Sequence, residues 1–190
     1  MRTMLISMVV FAVMAVAGSA QAAVTMTAIE VGGDVVFEGS GTLNLDAMSV
    51  NYPQTRRDPI VDPGITEFLV GPVDAWVTAY VPIGGIFAWN ERPIGGLGTG
   101  GETLATSGSG DMFGFLQYHH LTVPFNYVSG DPLEGTATYE GATFESLGLD
   151  VGTYVWSWGE DATLDSFTLV ISTSTPNQQS SWGEVKALYR

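Results

Sequence analysis

The sequence contains no cysteine, and this absence removes several kinds of site. Without thiols the chain has no disulfide framework, no thiolate nucleophile and no cysteine-ligated zinc or iron–sulfur centre. Basic residues are scarce as well, because six Lys and Arg stand against 20 Asp and Glu, for a formal net charge of −14. Nucleic acids and anionic membrane surfaces recruit Lys and Arg, so this charge argues against both as partners.

The composition also limits the number and type of domains. The chain has 190 residues, of which 45% are hydrophobic and 14% charged. A disordered chain has fewer apolar residues, and a coiled coil has many more charged ones. The length matches one domain with a single core.

The N-terminus has the features of a secretory signal peptide. Arg2 precedes an apolar run over residues 4–17, and the small-residue pattern Ala20-Gln21-Ala22 follows. This order predicts cleavage after Ala22. The run has 14 residues, whereas a membrane-spanning helix needs roughly 20. We therefore expect a secreted mature chain that contains no transmembrane helix.

Two segments near the C-terminus show the period-two alternation of β-strands. Large apolar residues occupy every second position in residues 154–158 and again in residues 166–172. Successive strand residues point to opposite faces, so each segment has one apolar face, and the polar residues 159–165 between them favour a hairpin loop. We predict that one buried face holds Tyr154, Trp156, Trp158, Phe167, Leu169 and Ile171.

The remaining pattern predicts an all-β fold. Shorter strand candidates, nearly all bounded by Gly or Pro, are residues 24–31, 34–37, 41–45, 76–81, 113–118, 120–123 and 135–139. Helical periodicity is weak, and only residues 45–50 and 143–149 favour short turns. The sequence therefore predicts an antiparallel two-layer β-sandwich or jelly roll. This domain would span residues 23–171, with a polar linker and short tail over residues 172–190.

Two long segments lack alternation and are predicted as connections. Residues 51–72 contain four prolines and have room for only a short edge strand. Their Arg56-Arg57 pair is expected to contact nearby carboxylates rather than to clamp a ligand carboxylate. Residues 84–114 are rich in glycine but lack the strand and helix that flank a phosphate-binding loop, so a flexible surface loop is predicted.

The sequence offers few candidates for catalysis. The two histidines, His119 and His120, are adjacent, and neighbours on a strand face opposite ways, so a shared metal is not expected. Gly108-Ser109-Gly110 lacks the strand-to-helix elbow of a serine nucleophile. We predict no catalytic, cofactor-binding or metal-binding residue and no cofactor. Carboxylates are plentiful, so a glycosidase acid pair stays open.

Two kinds of residue in the sequence could bind a ligand. The acidic residues in predicted turns, Asp131, Asp150, Glu160, Asp161 and Asp165, could hold calcium, but no EF-hand spacing is present and a solvated acidic surface is favoured. Trp89, which lies beside polar residues in a predicted loop, is a candidate platform for sugar rings. Together with Tyr118 it forms the predicted glycan contact.

Four segments of the C-terminal half resemble secreted bacterial proteins of the PEP-CTERM group. They are residues 129–138, 142–149, 165–169 and the run Gly152-Thr153-Tyr154-Val155-Trp156-Ser157-Trp158-Gly159, while residues 33–45 match the opening of such proteins more loosely. The resemblance implies a β-rich exported domain at the cell surface or in the extracellular matrix, and it brings no catalytic residues. The family's Val-Pro-Glu-Pro ending, apolar span and arginine cluster do not occur here. Instead, Trp182 to Arg190 could form a short amphipathic recognition tag or a disordered end.

These observations lead to two hypotheses about function. The first is an exported, non-enzymatic cell-envelope or matrix protein whose partners are extracellular polysaccharide or cell-surface components. The alternative is a carbohydrate-binding module or a weak glycosidase.

Overall fold

The computed structural model describes residues 23–83, 88–90, 96–117 and 120–173. Within this part the chain forms fourteen strands, one short α-helix and two single 3-10 turns. The predicted signal peptide and the C-terminal tail lie outside the described residues. The strands are β1 (Ala23–Val31), β2 (Asp34–Thr42), β3 (Met48–Arg57), β4 (Ile60–Asp62), β5 (Glu67–Val70), β6 (Ala75–Pro82), β7 (Ala88–Asn90), β8 (Thr103–Leu104), β9 (Ser107–Gly110), β10 (Phe113–Leu116), β11 (His120–Pro124), β12 (Pro132–Tyr139), β13 (Gly152–Trp158) and β14 (Asp165–Ser172).

The strands form two seven-stranded sheets that pack face to face. Sheet A has the order β7-β13-β14-β1-β2-β12-β9, and sheet B has the order β3-β6-β11-β10-β5-β4-β8. Pairing is antiparallel in both sheets except between β1 and β14, which run parallel. The predicted two-layer β-sandwich is confirmed. No helix in the described part of the chain has the length and apolar character needed to cross a membrane.

The β13–β14 hairpin follows the alternation in its sequence. All six residues of the predicted apolar face are buried, with exposures of 0 to 6%. Trp156 pairs with Phe167 across the hairpin, so both side chains lie on the same face of sheet A. A 3-10 turn (Asp161–Thr163) lies in the predicted hairpin loop.

Aromatic rings from both sheets meet at the centre of the sandwich. Phe115 of sheet B stacks on Trp156 of sheet A, with ring centroids 4.8 Å apart and an interplanar angle of 26°. Phe68 approaches the same indole at 5.4 Å, and Phe167 meets Phe115 edge-on at 5.2 Å. Such pairs contribute about 0.5–1.5 kcal/mol each beyond the apolar area that they bury.

Two paired glycines let a further ring reach sheet A. Gly39 of β2 and Gly135 of β12 are directly opposite each other. A Cβ at Gly39 would lie 2.9 Å from Phe113 Cζ, and one at Gly135 would lie 3.0 Å from Phe113 Cε1. The Phe113 ring of sheet B therefore occupies the space that two side chains would otherwise fill.

The prediction of a long connection over residues 51–72 is wrong. β3 extends to Arg57, and β4 and β5 also lie in this segment. All four residues of β5 are buried, because sheet B is covered on both faces at this point. A strand covered on both faces has no period-two pattern, so its sequence cannot show alternation. The proline in β3 is tolerated because β3 is an edge strand with two register shifts.

The prediction of a flexible surface loop over residues 84–114 is wrong wherever the segment is described. β7, β8, β9 and the start of β10 lie in it, and Leu97 is 1% exposed. Gly98 and Gly100 lie so close to the backbone of residues 147–148 that a Cβ at either glycine would come within 2 Å of a carbonyl oxygen. These glycines allow close packing of backbones rather than flexibility.

Smaller differences concern the ends of elements. The strand predicted at residues 41–45 is the end of β2, which stops at Thr42, and the turn predicted at 45–50 gives way to β3 at Met48. The turn predicted at 143–149 is a short helix, α1 (Phe144–Leu147), which begins with a capping box between Thr143 and Ser146.

Replacement of the central indole tests the aromatic core. Trp156→Ala should lower the free energy of unfolding by about 3–5 kcal/mol, because it leaves a cavity among the surrounding rings. Urea unfolding followed by circular dichroism measures this change. Val73→Ala is a suitable control, because Val73 is 64% exposed. If Trp156→Ala and the control unfolded at the same urea concentration, the assignment of Trp156 to the core would be wrong.

Candidate functional site

The outer face of sheet B carries a cleft of about 430 Å³, which falls in the usual size range of small-molecule sites. Phe68 and Val70 point into the sandwich core, so Glu67 and Leu69 of the same strand point to the outer face. We call this cleft the outer cleft. It is lined by Tyr52, Arg56, Arg57, Asp58, Ile60, Glu67, Asp74, Glu102, Leu104, Leu116, Gln117 and His120.

A second set of buried apolar residues underlies the outer cleft. The members of this outer apolar cluster are Ile60, Leu69, Val77, Ala79, Met112 and Leu116. Ile60 and Leu116 also line the cleft. Of the charged residues that line the cleft, Glu67 is buried and the others are exposed.

Glu67 is the most buried acid of the outer cleft, with 7% exposure. Burial raises the pKa of its carboxyl group above the ordinary value, and the negative charges of Asp62 and Glu102 raise it further. The positive charge of Arg57 and a backbone hydrogen bond from Gln117 act in the opposite direction. The net effect is a carboxyl group that holds its proton more tightly than a solvated glutamate does.

Strand register explains why these acids influence one another. Asp62 of β4 is directly opposite Glu67 of β5, and Glu102 immediately precedes β8, which pairs with the other side of β4. Asp62 is already engaged, because its Oδ1 accepts a hydrogen bond of 3.2 Å from the amide of Gly64.

The two arginines of the cleft have different surroundings. Arg56 forms an ion pair with Asp74, and its Cζ lies 4.6 Å from the centroid of the Trp76 ring. The expected contact with a nearby carboxylate is therefore present for Arg56. Arg57 has a weaker contact, a hydrogen bond of 3.5 Å from its guanidinium to the carbonyl oxygen of Arg56. Arg57 is thus the arginine with more capacity to bind a ligand.

An aromatic pair, Tyr52 of β3 and His120 of β11, also lines the outer cleft. The ring centroids of Tyr52 and His120 are 5.3 Å apart with an interplanar angle of 59°, and Tyr52 is 51% exposed. His120 Nδ1 lies 2.5 Å from the carbonyl oxygen of Gln117. A carbonyl only accepts hydrogen bonds, so Nδ1 carries the proton and Nε2 of the neutral ring is an acceptor.

Of the two predicted glycan-contact residues, only the backbone of Trp89 is among the described residues. The backbone of Trp89 lies in β7 and pairs with Trp156, and Tyr118, like His119, lies outside the described residues. Sequence reasoning missed Tyr52, because this residue is in the segment that was predicted to be a connection.

The acidic residues of the predicted turns do not form a common site. Among the described residues, no group of three or more histidine, aspartate and glutamate side chains is placed to hold a metal ion. Asp165 is not part of a solvated surface, because it is 1% exposed. Its carboxylate accepts hydrogen bonds from the amides of Asn44 at 2.5 Å and Ser166 at 2.6 Å.

Asp165 joins β14 to the segment that follows β2. Trp158 supports the same junction with a 3.0 Å hydrogen bond from Nε1 to the carbonyl oxygen of Asn44. Burial raises the pKa of Asp165 to about 6, although both backbone hydrogen bonds act to lower it. This acid has a structural role, since it satisfies two backbone amides.

Comparison with known proteins gave no relative. No family model matches the chain, and no curated protein or solved structure shows significant similarity to it. The outer cleft therefore has to be interpreted from its own chemistry.

The raised pKa of Asp165 predicts that stability depends on pH. The folded state holds this proton up to about pH 6, whereas the unfolded chain releases it near pH 4. The protonated Asp165 therefore makes its full contribution to the free energy of unfolding below about pH 4, and this contribution is lost as the pH rises through about 6. Asp165→Asn should flatten this part of the profile, which urea unfolding at several pH values measures. Glu67 is present in both the parent and Asp165→Asn and affects both pH profiles in the same direction. If the stability of Asp165→Asn fell with pH as steeply as that of the parent, the raised pKa assigned to Asp165 would be wrong.

Proposed function

We propose that the protein is an exported cell-envelope or extracellular-matrix protein that is not an enzyme and that binds extracellular polysaccharide in the outer cleft. The observation that carries this proposal is that the exposed Tyr52 ring, the exposed Arg57 and the buried Glu67 line one cleft together with apolar side chains.

These groups match the surface of a sugar ring. A pyranose has an apolar C–H face and a rim of hydroxyl groups, so it needs an aromatic surface and side chains that donate and accept hydrogen bonds. Tyr52 offers the aromatic surface, Arg57 offers only donors, and ionised Glu67 offers only acceptors. The Nε2 atom of His120 adds one further acceptor when the ring is neutral.

The proposed location is supported by the sequence. The apolar run and the Ala20-Gln21-Ala22 pattern are typical of a signal peptide. The resemblance to PEP-CTERM proteins agrees with a β-rich domain at the cell surface. The net charge of −14 argues against nucleic acid as the ligand.

A weak glycosidase is the second candidate, and Glu67 is the residue that favours it. A carboxyl group with a raised pKa can act as a general acid, and Glu102 lines the same cleft. One strand, β4, separates the two, which puts their backbones roughly 10 Å apart. Side chains at this spacing can bring two carboxyl groups to the roughly 6.5–9.5 Å of an inverting acid pair. Release of new reducing ends from a bound oligosaccharide would identify hydrolysis, and its absence would leave binding alone.

Removal of the aromatic surface tests the binding site. In a glycan array followed by calorimetry, Tyr52→Ala should weaken the binding of any glycan that the parent retains by about tenfold or more, since a stacking surface is lost. Val50→Ala is the matched control, because Val50 lies on the same strand with 52% exposure and does not line the cleft. Equal affinity in the two variants would exclude Tyr52 from the site, and a parent that binds no glycan would contradict the proposal.

Export can be tested independently of the ligand. When the full chain is expressed in a bacterial host, protein recovered from the envelope or the medium should begin at Ala23, because the signal peptide is removed after Ala22. Mass spectrometry of the intact protein gives its mass, which identifies the residue at which the mature chain begins. Protein that remains in the cytoplasm with residues 1–22 attached would contradict export.

A further inference from the structure

We propose that the outer cleft selects polysaccharides that carry free amino sugars, with the carboxylate of Glu67 as the partner of the ammonium group. This inference rests on the proposed function and narrows it to one class of glycan. It follows from the balance of charge in the cleft and from the position of Glu67 within it.

The charges that line the cleft do not cancel. Four carboxylates stand against two guanidinium groups. Arg56 and Asp74 neutralise each other in their ion pair. Arg57 then remains with three acids, Asp58, Glu67 and Glu102, so the cleft has an excess of negative charge at neutral pH. A uronic acid or a sulfated sugar would be repelled, whereas an ammonium group would be attracted.

Asp58 is exposed, and one backbone amide fixes its position while its charge remains. Its Oδ1 accepts a 2.7 Å hydrogen bond from the amide of Asp74, a residue held in the left-handed region with φ 56°. The excess of negative charge that a ligand can reach is therefore shared by Asp58, Glu67 and Glu102, and Glu67 is the buried member of the three.

Glu67 is the carboxylate for which a cationic partner matters most. It is 7% exposed, and the described residues contain no cation within ion-pair distance of it. Arg57 acts on Glu67 through charge alone, and the one hydrogen bond identified for Glu67 comes from the Gln117 backbone. An ionised carboxylate has about four acceptor sites. An ammonium group brings three donors and the missing positive charge, so it offsets the cost of keeping this buried group ionised.

An amino sugar fits the cleft better than a simple amine does. The Tyr52 ring and the apolar residues Ile60, Leu104 and Leu116 line the same space as Glu67. A linear diamine can pair with the carboxylate but leaves the aromatic surface and most of the hydrogen-bonding groups unused. A glucosamine unit has the ammonium group, an apolar ring face and hydroxyl groups on one rigid ring.

The test compares three oligosaccharides of equal length by calorimetry at pH about 6.5, where an amine is largely protonated. They are a glucosamine oligomer, its N-acetylated counterpart and an oligogalacturonate, and cadaverine serves as an amine without a sugar. We expect the glucosamine oligomer to bind at least about tenfold more tightly than its acetylated counterpart, and the uronate not to bind. Added salt should reduce the preference, because screening weakens charge pairing.

Substitution of Glu67 assigns the preference to one residue. Glu67→Gln keeps the size of the side chain and removes the charge, so it should abolish the preference for the free amine and let the two oligomers bind with equal affinity. Glu145→Gln is the matched control, because Glu145 is exposed on α1, away from the cleft. If Glu67→Gln does not fold, as judged by circular dichroism, the exposed Glu102→Gln should lower the preference by several-fold.

The outcomes separate this inference from the proposed function. Equal binding of the free and acetylated oligomers would overturn the amino-sugar inference and leave polysaccharide binding intact. The amino-sugar inference would also be overturned if Glu67→Gln kept the preference for the free amine. Where Glu67→Gln does not fold, the same holds for Glu102→Gln. Binding of cadaverine without any glycan, or no binding at all, would overturn both.

Discussion

The contact between aromatic rings of the two sheets is the interaction on which the rest of the structure depends. Phe115 stacks on Trp156, and Phe113 lies against the paired glycines 39 and 135 of sheet A. Facing sheets pack about 10 Å apart, and large rings at this interface need small residues opposite them. The glycine pair meets this need, so the distance between the sheets is set by specific residues as well as by general burial of apolar surface.

The outer cleft follows from the way in which sheet B is covered. The inner face of sheet B packs on the aromatic core, while its outer face carries the outer apolar cluster. A carboxyl group beside an apolar surface has less contact with water, so its ionised form is less stable than that of a solvated carboxyl group. This explains why burial raises the pKa of Glu67, in contrast to the many solvated acids of the chain. The same placement makes Glu67 the residue from which both the proposed site and the proposed preference for an amine are argued.

Prediction succeeded where one face of a strand is more polar than the other. The alternation in β13 and β14 identified all six residues of their buried face. It failed in β5, where both faces are buried and alternation disappears, and in β3, where proline and two register shifts interrupt it. Glycine was misleading for a related reason. A sequence cannot distinguish a glycine that bends freely from one such as Gly98, whose lack of a side chain allows two backbones to touch.

The sequence by itself determined the all-β class, the main hairpin and its buried face, because these depend on local periodicity and on apolar content. It also established the acidic character of the chain and the absence of thiol chemistry. Only the tertiary structure decided that Tyr52, Arg57, Glu67 and His120 line one cleft. These residues come from β3, β5 and β11, and their proximity depends on strand order and register. Strand order is set by which faces pack together across the whole sandwich, so no local pattern in the sequence records it.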